Sequence, residues 1–89
     1  MLRITEKEEG KDKRVLYLEG KICQEWVREL NSVIIRGIRE GKKVILDFSK
    51  VSFLDEEATK MINQFSSDQV GKRNCSLFIQ SMLNSEGRK

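Results

Sequence analysis

Three consecutive acids, Asp55, Glu56 and Glu57, end the apolar stretch "VSFL" and stand directly before the amphipathic stretch "ATKMINQF". Carboxylates in a run can act as general acid and base, as cation ligands, or as the punctuation that starts a helix. The third reading needs the fewest assumptions. An Asp at a helix N-cap accepts a hydrogen bond from a backbone N–H two or three residues on, and Glu in the first turn complements the positive end of the helix dipole. Successive helical residues point about 100° apart, so Glu56 and Glu57 do not easily converge on one substrate atom. The rest of the chain gives these acids little catalytic company. It contains no His, which removes the commonest general base, the commonest metal ligand and every Ser-His or Cys-His nucleophile. Cys23 and Cys75 lie far apart, each beside apolar residues, and read as reduced, buried small hydrophobes. The chain is therefore read as a non-enzyme with no metal and no cofactor. A small nucleotide-binding or hydrolytic domain using Asp55, Glu56 and Glu57 is the alternative from another class.

With 89 residues, 38% hydrophobic and 35% charged, the chain has material for one domain and one modest core. The apolar residues come in periodic groups, which separates this charge-rich composition from disorder. A net charge of +3 is spread from Arg3 to Lys89 without a stripe or interleaved aromatics, so no nucleic-acid partner is expected. No apolar run approaches the roughly 20 residues that span a bilayer. The start "MLRITEKEEG" lacks a signal-peptide pattern, and the expected location is the cytoplasm.

The elements that must position the acids follow from periodicity. "LRIT" and "RVLYLEGKI" alternate as strands around the charged turn "EKEEGKDK", giving an antiparallel hairpin. In "CQEWVRELNSVIIRGIRE", Cys23, Trp26, Val27, Leu30, Ile34 and Ile38 recur at spacings of three and four, which predicts a helix with Trp26 in the core. Arg36 and Arg39 suit its C-terminal dipole and Gly41 its cap. "KKVILDF" reads as a strand covered on both faces. Asp55 then caps a second helix whose buried stripe is Ala58, Met61, Ile62 and Phe65. "CSLFIQ", residues 75 to 80, is read as the fourth strand, leaving at most one further helical turn and a flexible tail over 83–89. The expected fold is a single α/β domain over 1–89: a mixed four-stranded sheet with an N-terminal hairpin, parallel β-α-β crossovers and helices packed on it.

"LEGKI", a helix, and then "VILDFSKVSFLDEEA" resemble the STAS domain family of bacterial anti-sigma-factor antagonists. That signature runs from a hydrophobic strand ending in Asp, through Leu or Phe and Ser, to Asp-Ser-Ser-Gly opening a helix. Asp47, Phe48 and Ser49 match its first part, Val51, Phe53, Leu54 and Asp55 its second, and Gly20 the glycine after the second strand. The resemblance implies a protein-binding regulator, docking a partner through Ser49, Ser52, Asp55, Glu56, Glu57, Ala58 and Thr59. In the family the second serine of the motif is phosphorylated by a kinase that doubles as the anti-sigma factor, and the phosphate blocks docking. Here Glu57 stands at that position, Glu56 at the first serine and Ala58 at the glycine. A carboxylate does not accept phosphate in such a switch; it holds one permanent charge against a phosphate's −1.5 to −2, roughly.

The resemblance therefore implies a serine-kinase-like anti-sigma factor as partner, with phosphorylation at Glu57 excluded. An accessory subunit role beside the ATPase of an ABC-type lipid transporter is the alternative. Ser49 and Ser52 are expected to satisfy local backbone groups, and Thr59 is considered as a relocated phosphosite. Family members carry a further helix after the strand matched by "CSLFIQ". Its shortening here predicts an exposed apolar face and hence a homodimer or tight partner dependence. A chain that is a piece of a longer protein would explain the same shortening.

Overall fold

The computed structural model describes residues 2–87. β1 (Leu2–Glu9) and β2 (Lys13–Ile22) form the expected hairpin, α1 (Glu25–Arg39) leads to β3 (Lys43–Leu54), and α2 (Glu56–Asn63) leads to β4 (Val70–Arg73). α3 (Leu77–Gly87) follows. The sheet order is β1-β2-β3-β4, with β1 and β2 antiparallel and the other two pairings parallel.

The helices share one face of the sheet because alternation points Leu16, Leu18, Val44, Leu46 and Phe48 that way. Those residues join Leu30, Val33 and Ile34 of α1, Ala58, Met61 and Ile62 of α2, and Ile79 and Leu83 of α3 in one core. α1 closes as its sequence suggests. Gly41 adopts φ 79°, its N–H donates to the Ile38 carbonyl, and the Lys42 N–H donates to the Gly37 carbonyl. Gly41 thus supplies the left-handed residue that the last turn requires. Trp26 is half-buried against the core, as are Val27 and Ile38.

On the helix-free face, Val15 and Ile45 are nevertheless buried. Arg73 on edge strand β4 reaches Glu9 on edge strand β1 at 3.2 Å, an ion pair between the two edges of the sheet. Its long side chains supply part of the cover that no helix provides.

The C-terminal third departs from the reading of the sequence. The fourth strand is Val70–Arg73, and residues 75 to 80 lead into a helix. Asn74 turns the chain with φ 58°, and the Ser76 hydroxyl accepts a hydrogen bond from the Ile79 N–H at 3.2 Å. A short apolar run is ambiguous between strand and buried helix, and here the Ser76 cap decides it. α3 is 11 residues long, so the expected flexible tail from 83 is helical as far as Gly87; residues 88 and 89 lie outside the described residues. With Ile79 and Leu83 buried beneath α3, the premise for an uncovered core face disappears. β3 continues beyond "KKVILDF" to Leu54, so Ser49 to Ser52 are strand as well and form no loop.

Candidate functional site

Between Tyr17 and Lys21 of β2, the pairing with β3 shifts twice. Glu19 lies opposite Lys50 and Lys21 opposite Phe53, so β3 uses an extra residue at each shift. Such bulges re-aim side chains. They turn Ser49, Lys50, Ser52 and Phe53 outward while Val51 and Leu54 stay in the core.

Asp47 holds the first shift. It is 3% exposed, and its carboxylate accepts hydrogen bonds from the Ser49 N–H and from the Asn74 side-chain amide, both at 2.9 Å. Burial pushes its carboxyl pKa up, but the bonds from Ser49 and Asn74 and the nearby Arg73 outweigh that and hold it below the usual value. Gly20 sits between the two shifts at φ 109°, a backbone conformation that favours glycine. Its carbonyl accepts from the Ser52 hydroxyl at 3.4 Å.

Asp55 is the second anchor. One carboxylate oxygen accepts from the Ala58 N–H at 2.8 Å, the cap inferred from sequence, while the other accepts from the Gln24 N–H at 3.1 Å. Its own N–H donates to the Ile22 carbonyl at 3.1 Å. One residue therefore ties the end of β2 and the start of α1 to the start of α2. Gln24, a non-glycine residue at φ 55° and ψ −129°, is held in a costly conformation at this junction. Both oxygens of Asp55 are engaged by backbone donors, which suits a structural carboxylate rather than a proton-transferring one.

The expected docking residues divide into two groups. Ser49, Ser52, Glu56 and Glu57 are exposed, and Asp55 is half-buried at their base. Ala58 and Thr59 are buried and drop out of the surface. Thr59 fails as a relocated phosphosite for the same reason: it is 2% exposed, and its hydroxyl donates to the Asp55 carbonyl at 3.1 Å. Among the described residues, neither Glu56 nor Glu57 has an ion-pair partner. Glu57 edges an open groove of about 300 Å³ between α1 and α2, shared with Arg28, Asn31 and Lys60.

Reading the sequence missed Gln24, Phe53 and the start of α3. Phe53 was hidden because the bulges break the period of two that would mark its face. Phe53 stacks on Phe78 with ring centroids 6.5 Å apart and an interplanar angle of 22°. Both cysteines are free and half-buried, and burial pushes the Cys75 thiol pKa up, away from nucleophilic use. Among the described residues, no group of three or more His, Cys, Asp or Glu is placed to hold a metal ion, and no helix is long and apolar enough to cross a membrane.

The model of the STAS domain family matches residues 4–84. The chain belongs to the STAS domain family. Its fold is similar to that of the anti-sigma factor antagonist SpoIIAA in its unphosphorylated form, with a TM-score of 0.77 and 17% identity over 96% of this chain and 81% of that one. An antisigma-factor antagonist STAS domain from Rhodobacter sphaeroides superposes with a TM-score of 0.62 at 15% identity, covering 88% of this chain and 95% of that one. A crystal structure of Mglu shares the fold more distantly, at a TM-score of 0.57 and 17% identity over 74% of this chain and 18% of that one. A search of curated protein sequences finds no match. At these identities the superpositions establish a common fold: one α/β domain, a mixed four-stranded sheet and three helices. In this STAS domain, the hydrogen bonds of Asp47 and Asp55 hold the two ends of the exposed segment.

Proposed function

We propose that this STAS domain is a regulatory protein-binding module that docks a partner through the exposed surface of Ser49, Ser52, Glu56 and Glu57, built on Asp55. The observation that carries the reading is Glu57. It lies in the first turn of α2, exposed and without an ion-pair partner among the described residues, at the position that the resemblance matches to the family's phosphorylatable serine. A helix N-terminus favours an anion there. The half-buried cap from Asp55 keeps that turn in place, so the charge of Glu57 is presented in a fixed position.

Glu57 makes the surface permanently anionic and insensitive to a kinase acting at this position. Ala58 and Thr59 contribute from below, through packing and through the hydrogen bond of Thr59 to Asp55. The partner proposed is a serine-kinase-like anti-sigma factor, the class that the family resemblance implies. A partner that requires the acid would present Lys or Arg to it.

The test is an affinity capture from native lysate with wild type and Glu57→Ser in parallel, the retained proteins being identified by mass spectrometry. Retention of a kinase-like anti-sigma factor by wild type is the expected result. Retention of a transporter ATPase instead would reassign the module to a transport complex. Capture by Glu57→Ser alone would make Glu57 a constitutive block and overturn docking through the acid.

A further inference from the structure

We infer that the docking surface extends onto the first turn of α3, where Phe53, Leu77 and Phe78 form an apolar anchor, and that the partner is a folded protein with an apolar groove rimmed by Lys or Arg. This rests on the docking reading above. Leu77 is 84% exposed, Phe78 49% and Phe53 40%; with Tyr17 they are the large apolar side chains left at the surface of the described residues. Two of the four meet, because the Phe53 and Phe78 rings stack, and Leu77 stands next to Phe78 in the first turn of α3. Phe53 lies inside the docking segment, between Ser52 and Asp55 and three residues before Glu56, so one short segment carries both the apolar anchor and the acids.

Charge selects the occupant. Glu6, Glu8, Glu9 and Glu19 each have a cationic partner within the fold, whereas Glu56 and Glu57, like Asp12, Glu25, Glu29 and Asp68, form no ion pair among the described residues; Glu56 and Glu57 are the adjacent two, side by side in the first turn of α2. An apolar anchor beside unpaired acids is complemented by an apolar groove beside cations. A second copy is disfavoured: a two-fold contact through this patch sets the Glu56–Glu57 surfaces close together, and like charges oppose it. The patch is also small beside the roughly 1,200–2,000 Å² that stable interfaces bury, so the surrounding acids must contribute.

The experiment places the photo-crosslinker benzoylphenylalanine singly at Leu77, at Glu56 and, as a control on the helix-free face, at Tyr17, with irradiation in cells and sequencing of the crosslinked peptides. Adducts from positions 77 and 56 to one foreign protein, on a segment combining apolar and Lys or Arg residues, are expected. Leu77→Glu should then weaken retention of that protein by about tenfold or more, as loss of a central anchor does. Adducts from 56 without 77 would overturn the extension and leave the docking reading standing. Adducts from 77 without 56 would keep the apolar anchor and remove docking through the acids, and with it the charge argument for this partner. Adducts to a second copy, adducts from position 17 alone, or none at all would overturn the inference. Leu77 is almost fully exposed, so Leu77→Glu leaves the fold intact.

Discussion

The two ends of the sheet treat charge in opposite ways. At the end where β2 and β3 begin, Arg14 is buried and bonded to Glu8 at 2.7 Å and Glu40 at 2.5 Å, with Glu6 at 3.8 Å. Arg36 reaches Glu6, and Lys42 reaches Glu8 at 3.0 Å, closing a network that joins β1, β2 and the last turn of α1. At the end where β3 finishes, Asp47 and Asp55 are occupied by backbone and amide donors, and the acids beyond them are left facing solvent. Charges at the first end satisfy one another and hold the fold. Acids at the second end stand on a fixed base, exposed and without an ion pair among the described residues. An end of the first kind resists substitution, and an end of the second kind tolerates it until a partner is present.

Breaking the paired end should have the largest effect on stability. Arg14→Ala leaves Glu8 and Glu40 without their shared cation and removes the packing of the Arg14 stem. The expected loss is about 2–3 kcal/mol in denaturant unfolding, below that of a fully buried pair because the acids can rehydrate.

Asp47→Ala comes next. It strands the Ser49 N–H and the Asn74 amide, at a cost of about 2 kcal/mol by the same measurement. Asp47 also sharpens the comparison through pH. A carboxylate whose folded pKa is depressed stabilises the fold above its unfolded value, and that stability is lost as pH falls through the folded value. Glu8 is held low by hydrogen bonds from Arg14 and Lys42, Glu9 by Arg73, and Asp47 by Ser49 and Asn74 against the opposing effect of burial. Stability should therefore change little near neutral pH and decline below about pH 4, where unfolded carboxylates take up protons. Asp47→Asn should make that acid decline shallower in unfolding curves recorded against pH.

Asp55→Ala should cost about 1–2 kcal/mol, the usual value of an N-cap. Hydrogen exchange should speed up at the Ala58 and Gln24 amides together, because one carboxylate holds both. The smallest effect belongs to Glu56→Gln and Glu57→Gln, within about 0.5 kcal/mol in thermal unfolding, since those exposed charges are favoured by the helix dipole and form no ion pair among the described residues.

Much of this contrast was legible in the sequence, and the physical reasons divide cleanly. Asp55 as a cap, Gly41 as a helix stop and the stripe Ala58, Met61 and Ile62 are local signals, each readable within a few residues. The hairpin and the first crossover follow from the period of the apolar residues, whereas the second crossover closes on Val70–Arg73 and not on residues 75 to 80. What escaped depended on register or on distant pairing. The Arg73–Glu9 and Arg14–Glu40 pairs join residues far apart in sequence, and no local pattern announces them. The extra residues in β3 shift the pattern that would have placed Phe53 outside. The start of α3 is not legible because an apolar run of six residues suits either strand or helix, and it is the cap at Ser76 that selects the helix. At the docking surface, the acids were visible as a motif, whereas the burial of Ala58 and Thr59 became apparent only once α2 was packed on the sheet.

The most direct test sets the two ends against each other. Partner retention per folded molecule and thermal stability are measured for the double substitution Glu56→Lys with Glu57→Lys and, in parallel, for Arg14→Ala. Loss of retention with stability unchanged for the first, and lowered stability with retention preserved for the second, is the expected result. Undiminished retention by the Glu56→Lys, Glu57→Lys protein would contradict docking through the open acidic end.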